Sequence, residues 1–88
     1  MVSSRLIKEL AEILTLIQDR STAEKFLSNI LTPSELDEIA LRIQIFKMLK
    51  KGIAQRKIAE KLKVSIGTVS RGSRELQYGA QGIHKLLP

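Results

Sequence analysis

The 88 residues contain no cysteine and no tryptophan, one histidine, two prolines and three aromatic rings, Phe26, Phe46 and Tyr78. Each scarcity excludes something. Without cysteine there is no disulfide framework and no thiolate metal site. His84 alone cannot build a multi-histidine zinc centre, so no metal is expected. With so few rings, leucine and isoleucine must do the packing, and a chain this short has little room for a large core. Completion of that core by oligomerisation is therefore expected. No apolar run approaches the ~20 residues of a membrane span, and the N-terminus lacks the apolar stretch of a signal peptide. A cytoplasmic protein with no membrane partner is the expectation. The carboxylates lie mostly in the N-terminal part, away from the basic residues, and His84 has no evident partner. An enzyme acting on nucleic acid needs clustered carboxylates for metal or an activated nucleophile, so no catalytic residues are assigned.

What is abundant is positive charge, and it is unevenly spread. The net charge is +6. Residues 1–41 carry seven acidic against four basic side chains, a net −3, whereas residues 42–74 carry ten Lys/Arg against Glu60 alone, a net +9. The remaining residues, 75–88, balance at zero. A basic block this concentrated is the footprint of a polyanionic partner; a plain solvated surface is the bland alternative.

The whole chain reads as helix. Apolar residues at positions 6, 7, 10, 13, 14 and 17 follow a 3.6-residue period after Ser3 and Ser4. "STAE", Ser21 to Glu24, has the form of a capping box, with Phe26, Leu27, Ile30 and Leu31 following. "TPSE", Thr32 to Glu35, is a stronger start: threonine as cap, proline at the first helical position and glutamate two residues later. The helix it opens is expected to run to about Lys51, with Leu36, Ile39, Ala40, Ile43, Phe46 and Leu49 inward and Gly52 as its stop. Gln55 to Leu62 forms a short helix. Ser65 caps the next, from Ile66 to about Leu76, and "YGAQG" breaks the pattern before a tail that is either a final turn or a packing arm.

Those two short helices meet the demands of a helix-turn-helix. Ala59 is the small residue at the crossing. "KVS", Lys63 to Ser65, is the turn, with Val64 plugging its corner. Val69 is the inward apolar residue one turn into the second helix. Many such motifs carry glycine where this chain has Lys63, so a left-handed Lys63 would store about 1–2 kcal/mol of strain. The N-terminal residues of a recognition helix face base edges in the major groove. Ile66 suits a thymine methyl, Gly67 allows close backbone approach and Thr68 gives or takes a hydrogen bond. Gln55, Arg56 and Lys57 open the preceding helix, where they can grip phosphate or guanine. Arg42, among Ile39, Ile43 and Phe46, either snorkels with its head in water or takes a partner, and Arg71 is either a plain phosphate contact or a second such group; a carboxylate ligand with an aromatic ring would suit two guanidiniums.

"LTPSE" (Leu31 to Glu35), Arg42 within "LRIQI", "QRKIAEKL" (Gln55 to Leu62), "SRGS" (Ser70 to Ser73) and Leu76 together resemble the tryptophan repressor family. That family is itself a reference case for the docking geometry cited above. The likeness spans about residues 26–77. It implies an all-α, intertwined homodimer over residues 1–88, with N-terminal dimerisation helices in 1–31, a central helix in 32–52, the helix-turn-helix in 54–77 and a tail in 78–88. It implies a transcriptional repressor that binds double-stranded operator DNA, with L-tryptophan as co-repressor rather than a tightly held cofactor. By position, the indole would lie between Arg42 and Arg71, beside Gly72. Partner-chain carbonyls matching Asn29, Leu31 and Thr32 would hold the ammonium. The DNA-facing set would be Gln55, Arg56, Ile66, Gly67, Thr68 and Ser70, with Arg71 near phosphate; Lys57 joins it from the charge pattern. Glu75 stands where the family often has serine, close to the ligand. It pairs with Arg71 at i,i+4 or meets the ligand's ammonium or carboxylate. Phe46, one turn after Arg42, stands where the family has a smaller side chain. If it filled the ligand space, the chain would be a DNA-binding regulator without a small-molecule effector.

Overall fold

The structure is a computed structural model that describes residues 3–88. Among the described residues there are six helices and no strand: α1 (Ser4–Thr15), α2 (Arg20–Ile30), α3 (Pro33–Lys50), α4 (Gln55–Leu62), α5 (Ile66–Tyr78) and α6 (Gly82–Leu86). The fold class is thus all-α. The chain divides into two compact units, Met1–Leu36 and Asp37–Pro88, with the boundary in the first turn of α3.

In the first unit each helix start is fixed by a side chain. Ser3 Oγ accepts the Leu6 amide and opens α1. The α2 start is a correction: the cap is Asp19 and not Ser21, which lies inside the helix. Asp19 takes the Thr22 amide at 2.8 Å on one carboxylate oxygen and the Thr22 hydroxyl at 3.0 Å on the other. That double contact outcompetes the box offered by Ser21 and Glu24. It also holds the Asp19 carboxyl below its ordinary pKa, the amide bond being the larger cause. At α3 the expected capping box forms: the Glu35 amide donates to Thr32 Oγ1 at 3.1 Å and the Thr32 amide donates to Glu35 Oε1 at 2.8 Å. Glu35 is likewise lowered, first by that backbone bond. No residue of α1 or α2 is buried. The whole apolar stripe of α1 is exposed, Leu6 at 51% and Leu14 at 48%.

The second unit holds the core. Ile45, Ile58 and Val69 are buried together, with Met48, Leu49, Ile53, Ala59, Leu62 and Val64 packed against them. Ile58 and Val69 are fully excluded from water, which contributes about 1.5–3 kcal/mol each. Here α3 differs from expectation. Ile39 and Ala40 are exposed, whereas Ile45, on the opposite side, is buried at 3%. Apolar side chains encircle α3, so periodicity alone could not choose between its faces. Gly52 ends α3 with φ of +81°; its amide donates to Leu49 O and that of Ile53 to Met48 O. This is the Schellman arrangement, which favours glycine at the left-handed position.

Candidate functional site

The turn between α4 and α5 is built by three residues. Lys63 is left-handed, φ 57° and ψ 45°, as its place in the motif requires. Val64 is half-buried and its amide donates to Ala59 O, so the chain folds back over the end of α4. Ser65 then caps α5 by accepting the Thr68 amide at 3.0 Å. Val69 drops into the core one turn later. The two helices are further tied by Ser70 Oγ, which donates to Gln55 Oε1 at 2.8 Å. Two residues assigned to DNA from the sequence therefore also clamp α5 to the N-terminus of α4.

On the outer side of this pair Arg56, Lys57, Ile66 and Gly67 are all exposed. A Cβ added to Gly67 would meet only Ser65 Oγ, at 3.8 Å, which is ordinary contact. Nothing inside the chain requires glycine there. Lys61, Lys63 and Arg74 of the same helices and their turn are also exposed, and Ile66 and Tyr78 are the exposed large apolar residues of α5.

The other side of α5 faces a cleft of about 640 Å³ shared with α3. Arg42 and Arg71 both line it, as do Gly72 and Glu75. Leu31 and Thr32 belong to the first unit and are not among its lining residues. The Thr32 carbonyl already accepts the Leu36 amide at 2.9 Å. Glu38, Leu41, Ile45, Phe46, Val64 and Thr68 complete the lining. Glu38 lies one turn before Arg42 on α3, a spacing open to view in the sequence. The places of Leu41 and Val64 depend on how α3 passes α5, which no local pattern encodes.

Three further positions shape the cleft. Thr68 is half-buried on the cleft side; its hydroxyl is 2.8 Å from Ser65 Oγ and receives Arg71 Nη2 at 3.4 Å. Gly72 is a packing residue as well as a cleft residue: a Cβ there would lie 2.9 Å from Ile45 Cγ2, so only glycine lets α5 pass α3 this closely. Phe46 is 7% exposed, its ring forming part of the cleft wall, and the cleft stays open beside it. A volume of this size is within the usual range for small-molecule sites. Arg42 and Arg71 are themselves exposed at the rim, their charged heads in water as expected for long amphipathic side chains.

Behind α5 the tail is docked. Leu76 O is 3.0 Å from His84 Nε2, and Lys50 Nζ donates to His84 O at 3.2 Å and Leu87 O at 2.8 Å. The lysine thus satisfies carbonyls at the open C-terminal end of α6 while anchoring it to the last turn of α3. No group of three or more His, Asp or Glu residues is placed to hold a metal among the described residues, and none of the described helices is long and apolar enough to cross a membrane.

Comparison with known proteins gives a consistent result. The family model described as "Trp repressor protein" matches residues 5–88. A Trp operon repressor homolog from Vibrio atlanticus is 34% identical over 71 residues, covering 80% of this chain and 72% of that protein. One from Histophilus somni is 35% identical over 81 residues, covering 88% of this chain and 76% of its own length. Among solved structures, a TrpR-like protein from Eubacterium eligens superposes with a TM-score of 0.86 at 27% identity, covering 96% of this chain and 87% of that one.

Proposed function

The chain belongs to the Trp repressor family, a family of transcriptional repressors, and from that membership we propose that it binds operator DNA as a homodimer with L-tryptophan as co-repressor. The observation that carries this reading is the two-sidedness of α5. Ile66 and Gly67 lie exposed at its start, and Arg71, Gly72 and Glu75 line the cleft on its other side. A ligand between Arg42 and Arg71 would set the angle of the helix that enters the groove. Its effect on DNA affinity equals its differential affinity for the bound and free states, about 1–3 kcal/mol for typical couplings.

The residues assigned to DNA binding are Gln55, Arg56, Lys57, Ile66, Gly67, Thr68, Ser70 and Arg71, of which Thr68 acts from the cleft side. Arg56 and Lys57 supply phosphate or guanine contacts at the start of α4. Gly67, with no internal reason to be glycine, keeps the backbone of α5 open to close approach from outside. Thr68 contributes through the orientation of Arg71, to which its hydroxyl is joined. A dimer would place two such helices about 34 Å apart, one helical turn of DNA.

Dimerisation is supported by what a single chain leaves uncovered. Among the described residues only Ile45, Phe46, Ile58 and Val69 are buried hydrophobics, whereas Leu6, Ile7, Leu10, Ile13 and Leu14 of α1 are exposed, as is Ile39 in the second unit. Monomers seldom leave so extended an apolar stripe in water. The ligand half of the proposal is supported by the open cleft beside Phe46.

The test uses a duplex enriched by the protein from a random pool. Arg42→Ala is expected to abolish the response to L-tryptophan and leave weak basal DNA binding, because Arg42 makes no phosphate contact in this reading. Arg71→Ala is expected to lose both. An Arg42→Ala variant that still responds to tryptophan would remove the cleft from the account.

A further inference from the structure

We propose that the C-terminal tail is a strap that sets the angle of α5 against α3, with His84 and Lys50 as positioning residues at its two fastenings. This rests on the reading of α5 as the DNA-reading helix given above. It adds two side chains that belong neither to the residues assigned to DNA nor to the cleft lining.

The helix α5 is unevenly held. Ser70 ties it to Gln55 of α4, so those two helices move together. Against α3 it packs at one crossing, where Val69 joins Ile45 in the core and Gly72 passes close to the Ile45 side chain. One crossing fixes the distance between two helices and holds their angle weakly; a second tie away from it fixes the angle. The part of α5 beyond Gly72 contains no buried residue. Arg74, Glu75, Gln77 and Tyr78 are exposed there, and Ser73 and Leu76 are half-buried. The tail supplies the second tie. Leu76 O lies in the last turn of α5, where carbonyls lack an amide ahead of them. His84 Nε2 is 3.0 Å from it, and a carbonyl only accepts, so the imidazole N–H donates.

The other fastening is on α3. Lys50 Nζ donates to His84 O at 3.2 Å and to Leu87 O at 2.8 Å. Gln81 Nε2 donates to Gly79 O at 2.7 Å and tightens the reversal that brings the tail back. Ile83 and Leu87 are half-buried, whereas Lys85 and Leu86 are exposed, so the tail lies with one side inward. A continuous path therefore runs from the end of α3 through Lys50, the α6 backbone and the His84 ring to the far end of α5. Its leverage reaches the DNA-reading end. Leu76 is about 6 Å beyond Gly72 along the axis and Ile66 about 9 Å before it, so a swing about the crossing is enlarged at Ile66.

The experiment measures affinity, at fixed salt, for the duplex enriched from a random pool and for a scrambled duplex of the same composition. Sequence-independent binding comes from phosphate charge and depends little on the angle of α5, whereas base reading depends on it. His84→Phe keeps a ring and removes the donor; His84→Gln keeps a donor. His84→Phe is expected to weaken binding to the enriched duplex about 3- to 10-fold, the net worth of one hydrogen bond acting on the competent fraction, and to leave the scrambled duplex unchanged. His84→Gln should restore the wild-type value to within about twofold. Lys50→Met should lower the ratio of the two affinities as His84→Phe does, and it carries the test should His84→Phe fold poorly by circular dichroism. An unchanged ratio in His84→Phe or Lys50→Met, an equal loss on both duplexes, or a failure of His84→Gln to restore binding would overturn the strap while leaving the DNA reading in place. A wild-type protein that binds both duplexes alike would sink the DNA reading and the strap with it.

Discussion

Gly72→Ala should destabilise the chain, although glycine-to-alanine changes inside helices ordinarily stabilise. The gain from removing backbone freedom would be about 0.5–1 kcal/mol. Against it stands the contact with α3. The new methyl would lie 2.9 Å from Ile45 Cγ2, with Leu49 Cδ1 at 3.8 Å and Phe46 Cε1 at 3.9 Å. Carbon pairs prefer roughly 3.5–4.0 Å, so the first contact must open by about half an ångström or more. Ile45 is 3% exposed and lies in the core with Ile58 and Val69, so it has little room to yield. Overpacking of this kind costs about 1–3 kcal/mol, which leaves a net loss of about 0.5–2 kcal/mol. Urea unfolding would show it as a lower midpoint at unchanged slope, and thermal unfolding as a fall of about 4–8 °C per kcal/mol. Ile45→Leu moves the branch point away from Gly72 at constant volume. In that background Gly72→Ala should cost less, a coupling that a double-mutant cycle isolates. A stability gain for Gly72→Ala in the wild-type background would refute the reasoning, because the close passage of α5 over α3 would then not exist.

Lys63→Gly is expected to raise stability by about 1 kcal/mol by relieving the left-handed lysine, measured by urea unfolding; a loss would show that the Lys63 side chain contributes more than the strain removes. Asp19 and Glu35 are lowered by bonds to their charged forms from Thr22 and Thr32, so the unfolded chain binds more protons than the folded one at acid pH. Their stabilisation is complete above the ordinary carboxylate range and fades as pH falls through their lowered folded values, below about pH 4. Asp19→Asn with Glu35→Gln should therefore flatten the acid limb of stability against pH, and an unchanged limb would contradict the cap assignment. Lys50→Met should free α6, seen as faster amide exchange at Leu87 with little change at Ile58; equal protection would mean that Lys50 does not hold the tail. DNA affinity should fall with salt with a log–log slope of about −5 to −7, for six to eight phosphates neutralised per dimer, and Lys57→Ala should reduce that slope without altering sequence preference.

Local chemistry was legible from the residues. Thr32, Pro33 and Glu35 announce the start of α3, Gly52 its end, and Ser65 the start of α5, because each signal acts within four residues. The left-handed Lys63 was also readable, since the turn of the motif demands it whatever residue is there. Where two local signals competed, reading failed. Asp19 and Ser21 both offer a cap, and the choice fell to Asp19 because Thr22 answers it with two groups. Longer-range features were less visible. Apolar residues surround α3, so the burial of Ile45 and the exposure of Ile39 depend on which helices arrive at each face. Thr68 follows Ile66 and Gly67 directly, yet two residues on a helix turn by about 200°, which carries it from the outer surface to the cleft. The bond from Ser70 to Gln55 spans fifteen positions and no spacing rule contains it.

The central claim is that one helix, α5, joins a DNA-reading surface to a ligand cleft. The most direct measurement is the affinity of the wild-type protein for its enriched duplex, at fixed salt, with and without saturating L-tryptophan. The account predicts tighter binding with tryptophan by about 5- to 150-fold, the range of a typical coupling. Equal affinity in the two conditions would contradict it, and would leave a DNA-binding member of the family whose cleft has no say in repression.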